Sequence, residues 1–536
     1  MKKLLLGATA LTLCAGFSGA AYADFTLNIL HINDFHSRFD PITSTDSNCD
    51  AETDAAGECF GGIARLKAII DTTRGAIETD GGNSILLSAG DNFQGSLYYT
   101  TYKSKVVSDF FNQMDFDVVA TGNHEFDDGP EEFMKFIDAA EFPIIGGNFD
   151  VTRDANLAGK IKGSIVLEIG GEKIGIIGAT TEDTPDISSP GPDVEFTDIV
   201  QYVRGASEAL DAAGIDKIIV LSHIGYETDM ALAAALPLID VIVGGHTHTL
   251  LSNVAEGAAG PYPTMVNNPE GVEVPVVTAN QYGKYLGDIA VTWDDDGVVT
   301  KAEGEPYLID ATVTGDEDFK TQLVALAGPI EETMSQVIGT ATAAIDGSRE
   351  VCRAAECSMG NLVADALLAR ASDQGATIAI TNGGGLRASI DAGDITMGEA
   401  VAVLPFSNTL ATVEISGGDV IDALENGVSD VENGAGRFPQ VAGLKFSFDL
   451  SQAPGSRISE VEVMQDGAWA PIDEEATYIV TTNNFMRSGG DGYEAFASGA
   501  NPYDFGPPLE EVLADFIADQ GGEYTPYTDG RITEIN

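Results

Sequence analysis

The chain has 536 residues, enough for two domains or more. It carries 84 acidic residues against 27 basic ones, a formal net charge of −57. Such a surface repels nucleic-acid phosphates and anionic lipid, so a nucleic-acid coat and a membrane-surface binder are excluded, and an anionic ligand needs cations concentrated locally.

The N-terminus reads MKKLLLGATALTLCAGFSGAAYA: two lysines, a short apolar run and an Ala-x-Ala ending at Ala23. That pattern predicts a cleaved export signal over 1–23, with Asp24 the first mature residue and a periplasmic or secreted destination. Leu13 stands where a lipoprotein signal wants a small residue before Cys14. No later stretch of about 20 apolar residues follows, so no membrane span is expected. The remaining cysteines form two local pairs, Cys49/Cys59 and Cys352/Cys357. In an exported chain they read as two disulfides closing small loops; the rival, one four-cysteine zinc site, would have to join distant segments.

From residue 24 to 314 the chain alternates strand-like and helix-like segments. FTLNILHI, SILLSAG, DVVATG, KIIVLSH and DVIVGG are strand-like runs, separated by amphipathic stretches such as GGIARLKAIIDTTR and PEEFMKFIDAA. This predicts a layered α/β domain with helices over sheets. DEDFKTQLVALAGPIEETMSQVI predicts a linker helix over 315–338. Beyond it, NLVADALLARA (helix) and ATIAITNGGG (strand into a glycine loop) open a mixed α+β domain over 339–536.

The chain has only six histidines, and they cluster. His31 and His36 lie in LHINDFHSRFD, His124 in ATGNHEFDDG, His223 in VLSHIGYETD, and His246 and His248 in GGHTHTL. Apart from His31, which falls inside a strand and reads as scaffold, these residues sit at strand ends with Asp34, Asp91 and Asn123. In open α/β folds the carboxyl ends of the strands converge on one edge, where ligands bind. Imidazoles, carboxylates and an amide oxygen gathered there are donors for zinc, manganese or iron rather than calcium. A lone strand-end histidine is ordinarily a hydrogen-bonded structural residue; five segments, each with a histidine or carboxylate donor at the same point of its strand, together point to a metal site. Arg38 and Glu125 read as supporting residues.

These segments (DFH, GDNFQGS, GNHEFD, SHIG and GGHTH) resemble the calcineurin-like metallophosphatases, and their order resembles the exported 5′-nucleotidase/UDP-sugar hydrolase family. The resemblance covers nearly all of the mature chain. It implies two divalent metal ions: one held by Asp34, His36 and His248, the other by Asn123, His223 and His246, with Asp91 bridging them. It also implies that His124, oriented by Asp127, stabilises the transition state or protonates the leaving oxygen. Neither residue is spent on metal.

In the second half, TNGGGLRASI carries Arg387 and VCRAAEC carries Arg353. The glycines alone suggest only a tight turn, but both arginines fall in constrained loops where a planar fork can grip phosphate or carboxylate. By the same resemblance Arg353, Asn382 and Arg387 contact substrate, while Phe406 in VLPFSNTL and Phe485 and Asp491 in NNFMRSGGDGYEAF hold the nucleoside. Two aromatic faces can sandwich a base, and a carboxylate can accept from ribose hydroxyls. Without the resemblance either phenylalanine would read as core. The implied function is hydrolysis of nucleoside 5′-monophosphates, with UDP-sugars and other nucleotide anhydrides as further candidate substrates. Rivals are the related 2′,3′-cyclic phosphodiesterase/3′-nucleotidases, thiosulfate-ester hydrolases and, from another class, a silent metal- or nucleotide-binding protein. Family members are described as rotating the second domain between open and closed forms.

Overall fold

The strand-like runs of the first half pair into two sheets, not one. The structure, a computed structural model, describes residues 24–43, 49, 51–406, 408–465, 467–504 and 506–535. The segment 1–23 read as an export signal lies outside them. In the first sheet the strands run in the order Val299–Gly304, Tyr285–Trp293, Phe25–Ile32, Asn83–Ser88, Val118–Ala120 and Ile144–Ile145. Phe25–Ile32, Asn83–Ser88, Val118–Ala120 and Ile144–Ile145 are parallel. The second sheet runs Thr264–Asn267, Glu273–Val277, Val241–Val243, Lys217–His223, Glu172–Thr180 and Ser164–Ile169, with its four central strands parallel.

Strand periodicity sets the layers. Leu27, Ile29, Ile85 and Leu87 of the first sheet share one buried cluster with Ile176, Ile219, Leu221 and Val243 of the second, so the sheets face each other. The alternate residues Leu30, Ile32 and Leu86 point the other way, onto Ile63, Leu66 and Ile70 of the helix Ile63–Thr79. On the far side, Ile177, Ile218 and Val220 pack against Val203 and Leu210 of the helix Ile199–Ala212. Strands covered on both faces are apolar throughout, which is why these segments read as continuous hydrophobic runs.

The connecting helix spans Glu317–Met334; its cap residue Asp316 accepts from the Phe319 amide at 2.9 Å. Phe319 and Leu323 anchor it in the helical core of the first half. It stops at Met334, short of the expected 338. Val337–Ala341 is a strand, antiparallel to Gly393–Thr396 and parallel to Glu523–Tyr524. Those partners are remote in sequence, so local helical periodicity could not reveal the switch.

The second half centres on a five-stranded sheet in the order Pro439–Ala442, Ile378–Asn382, Thr477–Asn483, Leu410–Ser416 and Ala500–Tyr503. The helix Ser358–Ala371 covers one face and Gly417–Gly427 the other. Cys49 pairs with Cys59, and Cys352 with Cys357. Among the described residues no helix is long and apolar enough to cross a membrane.

Candidate active site

Five strands end on one edge of the two facing sheets: Phe25–Ile32, Asn83–Ser88 and Val118–Ala120 from the first, Lys217–His223 and Val241–Val243 from the second. The loops that follow carry Asp34, His36, Asp91, Asn123, His124, His246 and His248, while His223 is the last residue of its strand. Five of these residues, Asp34, His36, Asp91, His246 and His248, have φ between 47° and 84°. Non-glycine residues held in the left-handed region are costly, and such strain collects at functional sites.

Hydrogen bonds fix the loops to one another. The Asp34 amide donates to the Gly90 carbonyl at 3.1 Å and the His36 amide to that of Asp91 at 3.0 Å. Asp34 Oδ1 and Oδ2 both accept from the His246 amide at 3.1 Å, and Asp91 Oδ1 from the His124 amide at 2.9 Å. Glu125, fully buried, accepts from the amides of Asp91 (3.1 Å), Asn92 (2.8 Å) and Gly122 (2.6 Å), stapling two loops together. At Gly122 an added Cβ would stand 2.1 Å from Asp91 Oδ1, so only glycine permits this approach.

The donors converge in three groups whose ligand atoms lie within 4.8 Å of one another: Asp34, His36 and His248; His36, Asp91 and His124; Asp91, His223 and His246. His36 Nε2 is 3.1 Å from His248 Nε2, and His223 Nε2 is 2.9 Å from Asp91 Oδ2. His223 Nδ1 is held by the Ala89 carbonyl at 2.7 Å, which turns Nε2 toward the carboxylates. Asn123 is fully buried, and neither its Oδ1 nor its Nδ2 has a hydrogen-bond partner. A buried amide left so is rare unless a ligand takes the oxygen.

Protonation suits a cation site. Burial and the adjacent His124 and His248 rings drive the His36 imidazole well below its ordinary value. Burial, with His223 beside it, lowers His246 to about 3. Burial pushes Asp91 up, but the surrounding imidazoles outweigh it and hold the carboxyl well below the usual range. Burial lowers His223, yet Asp91 and Asp34 raise it to about 10; a bound divalent ion would replace that proton. The residues therefore fit divalent ions. His124 differs. Its Nδ1 lies 2.5 Å from Asp127 Oδ2, and Ser188 Oγ donates to Asp127 Oδ1 at 2.7 Å. Burial lowers this imidazole too, but Asp127 and Asp91 bring it to about 9.

Arg353, Asn382, Arg387, Phe406, Phe485 and Asp491 all line one cavity of about 300 Å³ in the second half. The Arg387 guanidinium lies over the Phe406 ring at 5.2 Å. Asn382 Nδ2 donates to Asp491 Oδ2 at 2.7 Å, and Asn483 Nδ2 to Asn382 Oδ1 at 3.1 Å; Asp491 itself has φ 55°. Phe485 is 42% exposed, so it is not a core residue. Arg353 is buried near Arg349 and Arg387, and its Nε has no partner.

This cavity shares no lining residue with the imidazole–carboxylate cluster's mouth, but Asn408 of the one and Thr409 of the other are neighbours in the chain. The mouth of the centre, beside His36, His124 and His248, is lined by Arg38, Gln94 and Tyr282 and, from the second half, by Thr409 and Asp504. Asp504 is ion-paired to Arg487. Sequence reading missed Gln94, Tyr282, Thr409 and Asp504, which lie outside the histidine segments. Arg38 and Glu125 sat within those segments, but nothing local disclosed the three amides that Glu125 collects. His31 lies inside its strand, 2.8 Å from the Tyr262 hydroxyl.

Comparison with known proteins agrees with this geometry. Residues 27–250 match the calcineurin-like phosphoesterase family and residues 337–498 the 5′-nucleotidase C-terminal domain. The chain is 35% identical to a snake venom 5′-nucleotidase of Crotalus adamanteus, over 99% of this chain and 92% of that one. It is 34% identical to the human 5′-nucleotidase, over 94% and 90%. Among solved structures, a 5′-nucleotidase precursor from Thermus thermophilus aligns at 40% identity and TM-score 0.61, over 96% of this chain and all of that one. The Haemophilus influenzae NAD nucleotidase aligns at 26% identity and TM-score 0.80, with the same coverage. Two sheets that gather imidazoles and carboxylates at one edge, joined to a domain with an arginine- and phenylalanine-lined cavity, are thus the two halves of a known architecture: the chain belongs to the 5′-nucleotidase family.

Proposed function

We propose that this protein hydrolyses nucleoside 5′-monophosphates to nucleoside and phosphate as a metal-dependent phosphomonoesterase. The observation that carries the reading is the pairing of a buried imidazole–carboxylate cluster with a cavity that offers two aromatic rings and two arginines. Asp34, His36 and His248 would hold one divalent ion and Asn123, His223 and His246 the other, with Asp91 available to both; zinc and manganese both suit these donors. Ions held there would supply Lewis-acid chemistry, polarising phosphoryl oxygens and acidifying water.

The remaining chemistry falls on side chains. His124 donates a proton to the ribose 5′ oxygen as its bond to phosphorus breaks, and Asp127 orients the ring and balances its charge. Arg353, Arg387 and Asn382 grip the phosphate, Phe406 and Phe485 sandwich the base, and Asp491 accepts from ribose hydroxyls. By the family resemblance, the second half (339–536) carries the nucleotide to the first (24–314) by moving about the helix between them. An engineered disulfide holding the halves in the present arrangement should abolish turnover until reduced. The acidic surface and two disulfides suit export to the periplasm or medium, with 1–23 as the signal.

The test is phosphate release by metal-depleted protein resupplied with zinc or manganese, on AMP, a UDP-sugar, a 2′,3′-cyclic nucleotide and a thiosulfate ester. Fastest release from AMP is expected. Preference for the cyclic or the thiosulfate ester would replace this reading with one of the two enzyme rivals, and no release at all with a silent binding protein.

A further inference from the structure

The loop Cys352–Cys357 carries Arg353, and its disulfide ties the two ends without fixing the peptide planes between them. A side chain from another strand does that. Gln440 lies in the strand Pro439–Ala442, paired opposite Thr381 and so one position from Asn382, which lines the nucleotide cavity. It is completely buried, and its carboxamide is spent on the Arg353 loop. Nε2 donates to the carbonyls of Cys352 at 3.0 Å and Ala355 at 2.8 Å, and Oε1 accepts from the Cys357 amide at 3.2 Å. These backbone partners fix the carboxamide's orientation, since turning it over would set donor against donor and acceptor against acceptor. The Cys352 carbonyl belongs to the planar peptide unit that leads into Arg353, so the bond from Gln440 sets the plane from which that side chain departs. The glycine loop closes on the same oxygen: an added Cβ at Gly383 would stand 2.1 Å from it. Gly360 leaves room on the other side, where a Cβ would stand 2.2 Å from Gln440 Oε1. Arg353 then runs to the turn before Gln440's strand, its Nη1 donating to the Gly434 carbonyl at 3.4 Å.

We propose that Gln440 is a positioning residue for phosphate recognition: it fixes the peptide between Cys352 and Arg353 and so aims Arg353 into the cavity. Gln440 is not among the residues that line the cavity, so it acts on the nucleotide through the loop and not by contact. A guanidinium grips phosphate only when its fork is held at the right angle, and a long side chain inherits that angle from its backbone. Without the carboxamide, two carbonyls and an amide of the loop would be left buried and unmet, and the loop would turn to satisfy them. The disulfide would keep the loop attached, but Arg353 would lose its aim. The base and ribose contacts of Phe406, Phe485 and Asp491 stand on other segments and would persist. The inference rests on the grip on phosphate assigned to Arg353 above. Methionine has nearly the shape of glutamine without its carboxamide, so Gln440→Met keeps the packing and removes all three bonds.

The test is calorimetric titration of the full metal-loaded chain with adenosine and with an adenosine 5′-phosphonate in which a methylene replaces the ester oxygen, so that no bond can be hydrolysed. Gln440→Met should weaken phosphonate binding by about 10–100-fold, the range of one lost charge-assisted contact, and adenosine binding by less than about twofold. Arg353→Ala should show the same split. Adding Gln440→Met to Arg353→Ala should cost almost nothing more, because the glutamine acts through the arginine. Should Gln440→Met fail to fold, judged by its Tm, Gln440→Glu takes its place: it keeps an acceptor for the Cys357 amide and loses both donors. Equal losses on the two ligands, undiminished phosphonate affinity, an additive double variant, or loss of the fold in both Gln440 variants overturns the positioning role. Undiminished phosphonate affinity in Arg353→Ala contradicts instead the role given to Arg353, and the inference falls with it. The expected split in a chain that hydrolyses no AMP contradicts the proposed hydrolysis and leaves the role of Gln440 standing.

Discussion

The proposed metal centre and the proposed nucleotide cavity are built differently. In the centre, Asp34, Asp91, Asn123 and His223 are completely buried, sit at the ends of strands covered on both faces, and are bonded loop to loop through the backbone. The cavity takes only Asn382 from a strand end and is otherwise assembled from loops and helix starts around the other half's sheet; Phe485 is 42% exposed, and Arg387 rests on Phe406. A cation tolerates little error in donor position, so its ligands are placed by the most rigid part of the fold. A base and a sugar can be held by rings and flexible arginines, which leaves that half free to move and to vary.

This contrast can be broken most severely at Asp91. Asp91→Ala should lose metal and bring activity on every phosphate ester to background, since one carboxylate serves the whole cluster. Full metal content with normal turnover would show that the centre does not depend on it. His124→Ala should separate chemistry from ligation, keeping both metals while kcat falls by about 10²–10⁴-fold. Elemental analysis decides, and metal loss in this variant would make His124 a ligand.

Glu125→Gln tests whether the backbone staple matters. Weakened acceptance from the Asp91, Asn92 and Gly122 amides should reduce metal affinity by about 10–100-fold, with nucleotide binding by the cavity unaltered. Unchanged metal affinity would mean that the loops hold their shape without it. The smallest effects belong to the other half: Phe406→Ala or Phe485→Ala should each cost about 1–3 kcal/mol on AMP and almost nothing on a small aryl phosphate. Equal losses on both substrates would place these rings in the scaffold and erase the contrast.

The sequence by itself determined the chemistry of the donors and where along the chain they stand. His36, His124, His223, His246 and His248 each follow or end a short apolar run, a pattern within reach of a few residues, because a strand end is a local event. The arginines of the second half stood out by their constrained loops in a cation-poor chain, but the phenylalanines became legible only through family resemblance, since a phenylalanine in a loop and one in a core have the same local signature. Tertiary structure decided the rest. That the runs form two facing sheets depends on pairing between distant strands, as does the strand at Val337–Ala341, whose first two residues were expected in the linker helix. Glu125 serves the Asp91 loop because folding brings residues 34 positions apart into contact. Thr409 and Asp504 stand at the mouth of the centre because of how the two halves dock. Periodicity encodes which face of an element is buried; which other surface buries it is settled only when the whole chain packs.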